Sequence, residues 1–123
     1  MRHAIKWLDE PEPHNYPAAS SFLCLNYLHD APGIVWRLKD VTLSSFKAKD
    51  IVRAADIALL DASNHHVERN LEKIRKGEPL SPVLLVVRPG KKLLIADGYH
   101  RICAVYRHDE DAEIRCKLVG DAP

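Results

Sequence analysis

The sequence predicts a single α+β domain, on three observations. A helix-period apolar stripe lies between two punctuating residues, Asn64 and Gly77. Two short apolar runs flank a Pro-Gly turn in the second half of the chain. A strand pattern then meets a glycine, and a helical pattern and a last alternating run follow. The chain has 123 residues, enough for one modest core and too few for two ordinary domains.

The elements follow in order. Asp9 to Pro17 carries Pro11, Pro13 and Pro17, which remove backbone donors, so an extended arm is expected there. Ala18 to Leu28 reads as a helix, with Phe22, Leu25 and either Tyr27 or Leu28 at helical spacing. Asp30-Ala31-Pro32 is a helix-start signal, a carboxylate cap ahead of a first-turn proline. Ile34, Val35, Leu38 and Val41 continue the helix; a strand is the alternative, because Ile34, Trp36 and Leu38 alternate. Thr42 to Lys47 suits a strand and Lys49 to Ala55 a short helix. The clearest helix follows: Ser63 or Asn64 caps it, Val67, Leu71 and Ile74 form one apolar stripe, and Gly77 stops it. Leu84 to Val87 and Leu93 to Ala96 pair as a hairpin, with Lys91 and Lys92 at its exposed tip. Ile102, Val105 and Tyr106 mark a further helix. Glu113 to Val119 alternates Ile114, Cys116 and Leu118 with Arg115 and Lys117, as a half-buried strand does.

Charge and composition exclude several classes. Formal net charge is +1, which gives no global basic field for nucleic acid or an anionic membrane. No apolar run approaches the ~20 residues of a spanning helix, and the N-terminus has no apolar export core. A cytoplasmic location is therefore expected. Cys24, Cys103 and Cys116 are widely spaced and odd in number, so each is expected to be a small buried apolar residue.

Chemistry concentrates at Asp97-Gly98-Tyr99-His100-Arg101. A helix starting here points its first free N–H groups and the positive end of its dipole at the turn, a geometry suited to phosphate. His100 and Arg101 add donors, and the planar guanidinium matches phosphate oxygens. Asp97 could hold Mg²⁺ or accept a hydroxyl proton. An equal alternative makes Asp97 the helix cap, Arg101 a solvated residue and Tyr99 a packing residue.

Three stretches, Leu80 to Val87, Leu94 to Ala104 and Ala112 to Val119, resemble the ParB-type nucleotide-binding domain. Sulfiredoxin and free-serine kinases belong to the same superfamily. The likeness runs roughly from Thr42 to Val119. It implies a compact fold with a small mixed sheet over residues 42–123, and an N-terminal helical extension, residues 1–41, packed on it. By position it makes Gly98, Tyr99, His100 and Arg101 phosphate or nucleotide ligands, with Asp97 and His100 as catalytic residues. Asp97 stands at the acidic position of the kinase-like motif, although Tyr99 replaces a frequent His. Tyr99 also stands where sulfiredoxin needs its cysteine, and Cys103 lies one turn further on, so sulfiredoxin chemistry is excluded. The stretch after Arg101 is too short for the helix-turn-helix module of chromosome-partition proteins, which disfavours specific DNA binding.

Further candidates are weaker. Lys49, grouped with Lys47 and Arg53, could reach distal phosphates, although a solvated helix start explains it as well. Asn64, His66 and Ser81 could lie on the substrate side, against capping, exposed-turn and strand-entrance roles. Asp109-Glu110-Asp111 reads as a solvated loop. Trp7, Tyr16 and Tyr27 could pack on the domain or across a homodimer. The expected function is binding of ATP or ADP with Mg²⁺, with phosphoryl transfer or hydrolysis. The alternatives are a non-catalytic sensor of nucleotide or another phosphorylated ligand, acting through a protein partner, and, at lower weight, a nucleic-acid-associated protein.

Overall fold

A computed structural model describes residues 4–123. Met1, Arg2 and His3, which enter the reading of the N-terminus, lie outside them. The fold is α+β. Among the described residues, five α-helices surround one four-stranded mixed sheet of order β1-β4-β2-β3. The strands are β1 (Ser44–Lys47), β2 (Val83–Val87), β3 (Leu94–Asp97) and β4 (Glu113–Gly120). The β2/β3 hairpin and the β1/β4 pair are antiparallel, while β2 and β4 run parallel at the centre.

Both sheet faces are covered. On one, Leu84, Val86, Leu94 and Ala96 pack against α1 (Asn15–Tyr27) and α2 (Ala31–Asp40). On the other, Val83, Leu85, Ile114 and Cys116 pack against α3 (Ala48–Ala55) and α5 (Tyr99–His108). The inward side chains alternate between two cores because successive strand residues point to opposite faces. A third cluster joins α4 (His65–Lys76) to α5 through Val67, Cys103 and Ala104. No helix among the described residues is long and apolar enough to cross a membrane.

Four local expectations change. Helix α1 starts at Asn15, so the extended arm ends earlier than Pro17. A proline in the first turn costs no intrahelical bond, because the first four amides have no partner inside the helix. The buried face of α1 is Asn15, Ala19 and Leu23 rather than the Phe22 and Leu25 stripe; Phe22 is 40% exposed and Leu25 87%. Asp30 makes no side-chain cap bond, because its backbone is already helical after a 3-10 turn over Leu28–Asp30. Lys117 is buried, since β4 is interior and α2 covers its second face. Its ammonium donates to the Val41 and Lys39 carbonyls at the end of α2 and pairs with Glu10 at 3.2 Å. Trp36 is 67% exposed while Ile34, Val35 and Leu38 are buried, which settles that segment as helix.

The arm is tied down along its length. Leu8 N–H donates to the Leu80 carbonyl and Leu80 N–H to Lys6. Trp7 packs on the α3/α5-side core, and Tyr16 and Tyr27 on the α1/α2-side core.

Candidate functional site

The start of α5 is fixed by a glycine without an alternative. Gly98 has φ 115°, a left-handed conformation that L side chains avoid. A Cβ there would lie 2.4 Å from Val83 Cγ1 and 2.7 Å from Val83 Cβ. Just before it, the β2/β3 register shifts between Leu84 and Leu85, so Asp97 pairs opposite Leu84 at an irregular strand end. The first bond of α5 runs from Ile102 N–H to the Gly98 carbonyl, 3.0 Å. The amides of Tyr99, His100 and Arg101 precede it, and they carry the partial positive charge of the helix terminus.

Two hollows meet at residues 97–100. The polar one, about 320 Å³, lies between α5, α4 and the arm. Helix α4 gives it His66, Arg69, Asn70 and Lys73, a single helical face, and the arm gives Glu12 and His14. The second, about 490 Å³, is mostly apolar and opens toward β3 and α1, with Phe22, Ile57, Leu93 and Ile95 in its walls. Asp97, Gly98, Tyr99 and His100 border both.

Within the polar hollow, Arg101 Nη2 donates to Asp97 Oδ2 at 2.8 Å, and both side chains are largely buried. The helix cap is Gly98, and Asp97 makes no capping bond. Arg101 Nε is buried without a partner among the described residues. The His66 and His100 rings stand 4.7 Å apart between centroids. Burial first, then the neighbouring His66 and Arg101, lowers the His100 pKa below the usual histidine value. Neutral imidazole is thereby favoured at pH 7, one nitrogen a donor and the other an acceptor.

The other candidates fall in different places. The Tyr99 hydroxyl donates to the Ala58 carbonyl at 2.6 Å, and its ring packs on the Val67 and Cys103 cluster. Its backbone amide stands with those of His100 and Arg101 at the start of α5. Burial first, then Cys103, raises its pKa. Lys49 binds Asp111 at 2.5 Å and lines neither hollow. Asn64 is the α4 cap, accepting from His66 and Val67 amides at 2.9 and 3.1 Å. The Ser81 hydroxyl donates to Asn15 Oδ1 at 2.5 Å and accepts from the Glu12 amide at 3.0 Å, so it anchors the arm. Sequence reasoning brought together Asp97, Gly98, His100, Arg101 and His66. It missed Arg69, Lys73, Glu12 and His14. The first two were readable as positions three and seven residues beyond His66; the arm residues carried no local signal.

Among the described residues, no group of three or more His, Cys, Asp or Glu side chains could hold a metal ion. A Mg²⁺ ion arriving with phosphates fits better, since such ions use one or two carboxylates and keep their waters. Asp97 is the carboxylate beside the α5 amides. No protein-family model, curated protein or solved structure matches the chain.

Proposed function

We propose that the protein binds a nucleotide of the ATP or ADP kind, or a like phosphorylated ligand, across residues 97–100. Phosphate would sit at the amides of Tyr99 to Arg101 in the polar hollow, and the base or another flat apolar group in the hollow beside it. The observation that carries this reading is the union of the two hollows at one unpaired helix start. Arg101 is held ready by Asp97, so its orientation costs little on binding.

Phosphoryl transfer would use Asp97. Its Oδ2 is taken by Arg101, which leaves Oδ1 to bind Mg²⁺ brought by the nucleotide or to take the proton of an attacking hydroxyl. In that step the hydroxyl oxygen bonds to the terminal phosphorus, and the nucleoside diphosphate leaves with the electron pair of the broken bond. The ion pair also favours a second reading, a sensor without turnover, because Asp97 Oδ2 is already engaged in holding Arg101.

Calorimetry with ATP, ADP and AMP tests binding. Arg101→Ala should weaken it at least tenfold; an unchanged isotherm, or no heat with any nucleotide, overturns the assignment. Turnover of ATP with Mg²⁺, lost in Asp97→Asn, supports transfer, and binding without turnover supports the sensor.

A further inference from the structure

The charges of α4 are sorted by face. Arg75 pairs with Glu68 at 2.6 Å and Glu72 at 2.7 Å, and Lys76 pairs with Glu72 at 3.5 Å. That flank neutralises itself. On the flank lining the polar hollow, Arg69 Nη2 meets a histidine nitrogen, His65 Nε2 at 2.8 Å, and Arg69 makes no ion pair among the described residues. Lys73 makes no ion pair among the described residues. Of the two acids in the same hollow, Asp97 is paired with Arg101, and Glu12 lies 3.7 Å from His14 at the arm side of the hollow, across from α4.

The two cations Arg69 and Lys73 lie in line with the start of α5. From His66, whose ring touches His100 at the start of α5, the row runs through Arg69 to Lys73. At a rise of about 1.5 Å per residue, it extends roughly 10 Å along α4. One phosphate occupies only the end nearest the α5 amides. A chain of phosphates reaches the cations further along.

We infer that Arg69 and Lys73 are specificity residues that count phosphates: the ligand carries a linear phosphoanhydride chain of two or three, laid from the α5 amides along α4. This rests on the proposed anion site but adds which ligand is selected and by which residues. The chain could belong to a nucleotide or be inorganic, and both sources present the same oxygens to α4.

The test is a ladder of affinities for AMP, ADP and ATP, and for phosphate, pyrophosphate and triphosphate, without added metal. Each added phosphate should tighten binding about tenfold, the scale of one charge-assisted hydrogen bond. In Arg69→Gln/Lys73→Gln the ladder should flatten while AMP affinity stays within about twofold. A charge-matched control, Lys47→Gln/Arg53→Gln, alters residues outside the hollow and should keep it. Equal steepness for inorganic and nucleotide series assigns the selection to the chain alone; a ladder only with nucleosides attached overturns that assignment. A flat ladder in the unaltered protein, or one unchanged in the double variant, overturns the inference and leaves the anion site standing. No binding by any compound overturns both. Melting curves confirm that the exposed substitutions leave the fold intact.

Discussion

Gly98→Ala is the sharpest perturbation of the site's backbone. The new methyl meets Val83 Cγ1 at 2.4 Å and Val83 Cβ at 2.7 Å, and it lies 3.0 Å from Arg101 Nη2. The φ of 115° adds a penalty the side chain cannot relieve. Strain in such a region costs about 1–3 kcal/mol. Forcing a methyl into packed Val83, itself fully buried, costs about another 1–3 kcal/mol. The expected loss is about 2–6 kcal/mol, a large part of a small domain's stability. Urea unfolding reads it as a midpoint lowered by about 2 M, with the slope unchanged. Val83→Ala removes the closer contact and leaves the other, so the glycine substitution should cost about 1 kcal/mol less in that background. A loss below about 1 kcal/mol in the single variant, or strict additivity in the double, would refute the claim that close approach to β2 dictates the glycine.

Four further outcomes follow from the same contacts. Lys117→Met keeps most of the buried methylenes but strips donors from the Val41 and Lys39 carbonyls, and should cost about 2–3 kcal/mol by chemical unfolding. Asn64→Ala should cost about 1 kcal/mol through loss of the α4 cap, whereas Ser63→Ala should cost less, because Ser63 bonds Asp61 instead. The lowered His100 pKa means the unfolded chain takes up its proton first; stability is therefore full above the unfolded value near 6.5, falls as pH drops through it, and levels below the folded value. Histidine NMR titration checks the sign, and His100→Gln should flatten that part of the stability profile. Cys24 is exposed, contrary to the expectation that all three cysteines are buried, while burial raises the Cys103 thiol and pushes Cys116 up to about 11. A thiol reagent at pH 8 should modify one cysteine quickly in the native protein, and Cys24→Ser should abolish that phase.

Local signals carried far in this chain, and their failures share a cause. The cap, read as Ser63 or Asn64, the stop at Gly77 and the strand–glycine–helix passage at Asp97 to Tyr99 are signalled by residue types close together in sequence, and the structure has each of them, with Asn64 as the cap. Lys117 went astray because alternation reports two faces, whereas burial depends on what covers each face. Phe22 and Leu25 lie off the inner face because α1 turns the Asn15, Ala19 and Leu23 positions, four residues apart, toward the sheet, and that row includes a polar and a small residue. Ser81 looked like a ligand on chemical grounds, and its partners are Asn15 and Glu12, far away in sequence. The same limit applied to the site: Asp97, His100 and Arg101 were adjacent and visible, while the α4 cations become part of it only once α4 packs on α5.

The boundary near residue 41 separates what the sequence pattern groups, yet energetically the extension and the rest are one unit. Leu84, Val86, Leu94 and Ala96 are buried only because Ala19, Leu23, Ile34 and Leu38 lie over them. The Lys117 ammonium finds its acceptors at the end of α2 and on the arm, and a buried charge without them is costly. On the other side, the buried Ser81–Asn15 hydrogen bond fixes the start of α1 against the entrance of β2. The Ser81–Glu12 bond then sets the arm so that Glu12 and His14 wall the polar hollow. The arm from Glu10 to Asn15 therefore acts on the site through anchors at two distant places. Loosening either anchor should alter the hollow's electrostatics before it unfolds the sheet, because the arm adds one acid and one imidazole to a row of cations. Ser81→Ala separates the effects: it breaks both arm bonds without touching α4, α5 or any cation, so a change in anion affinity would have to travel through the arm.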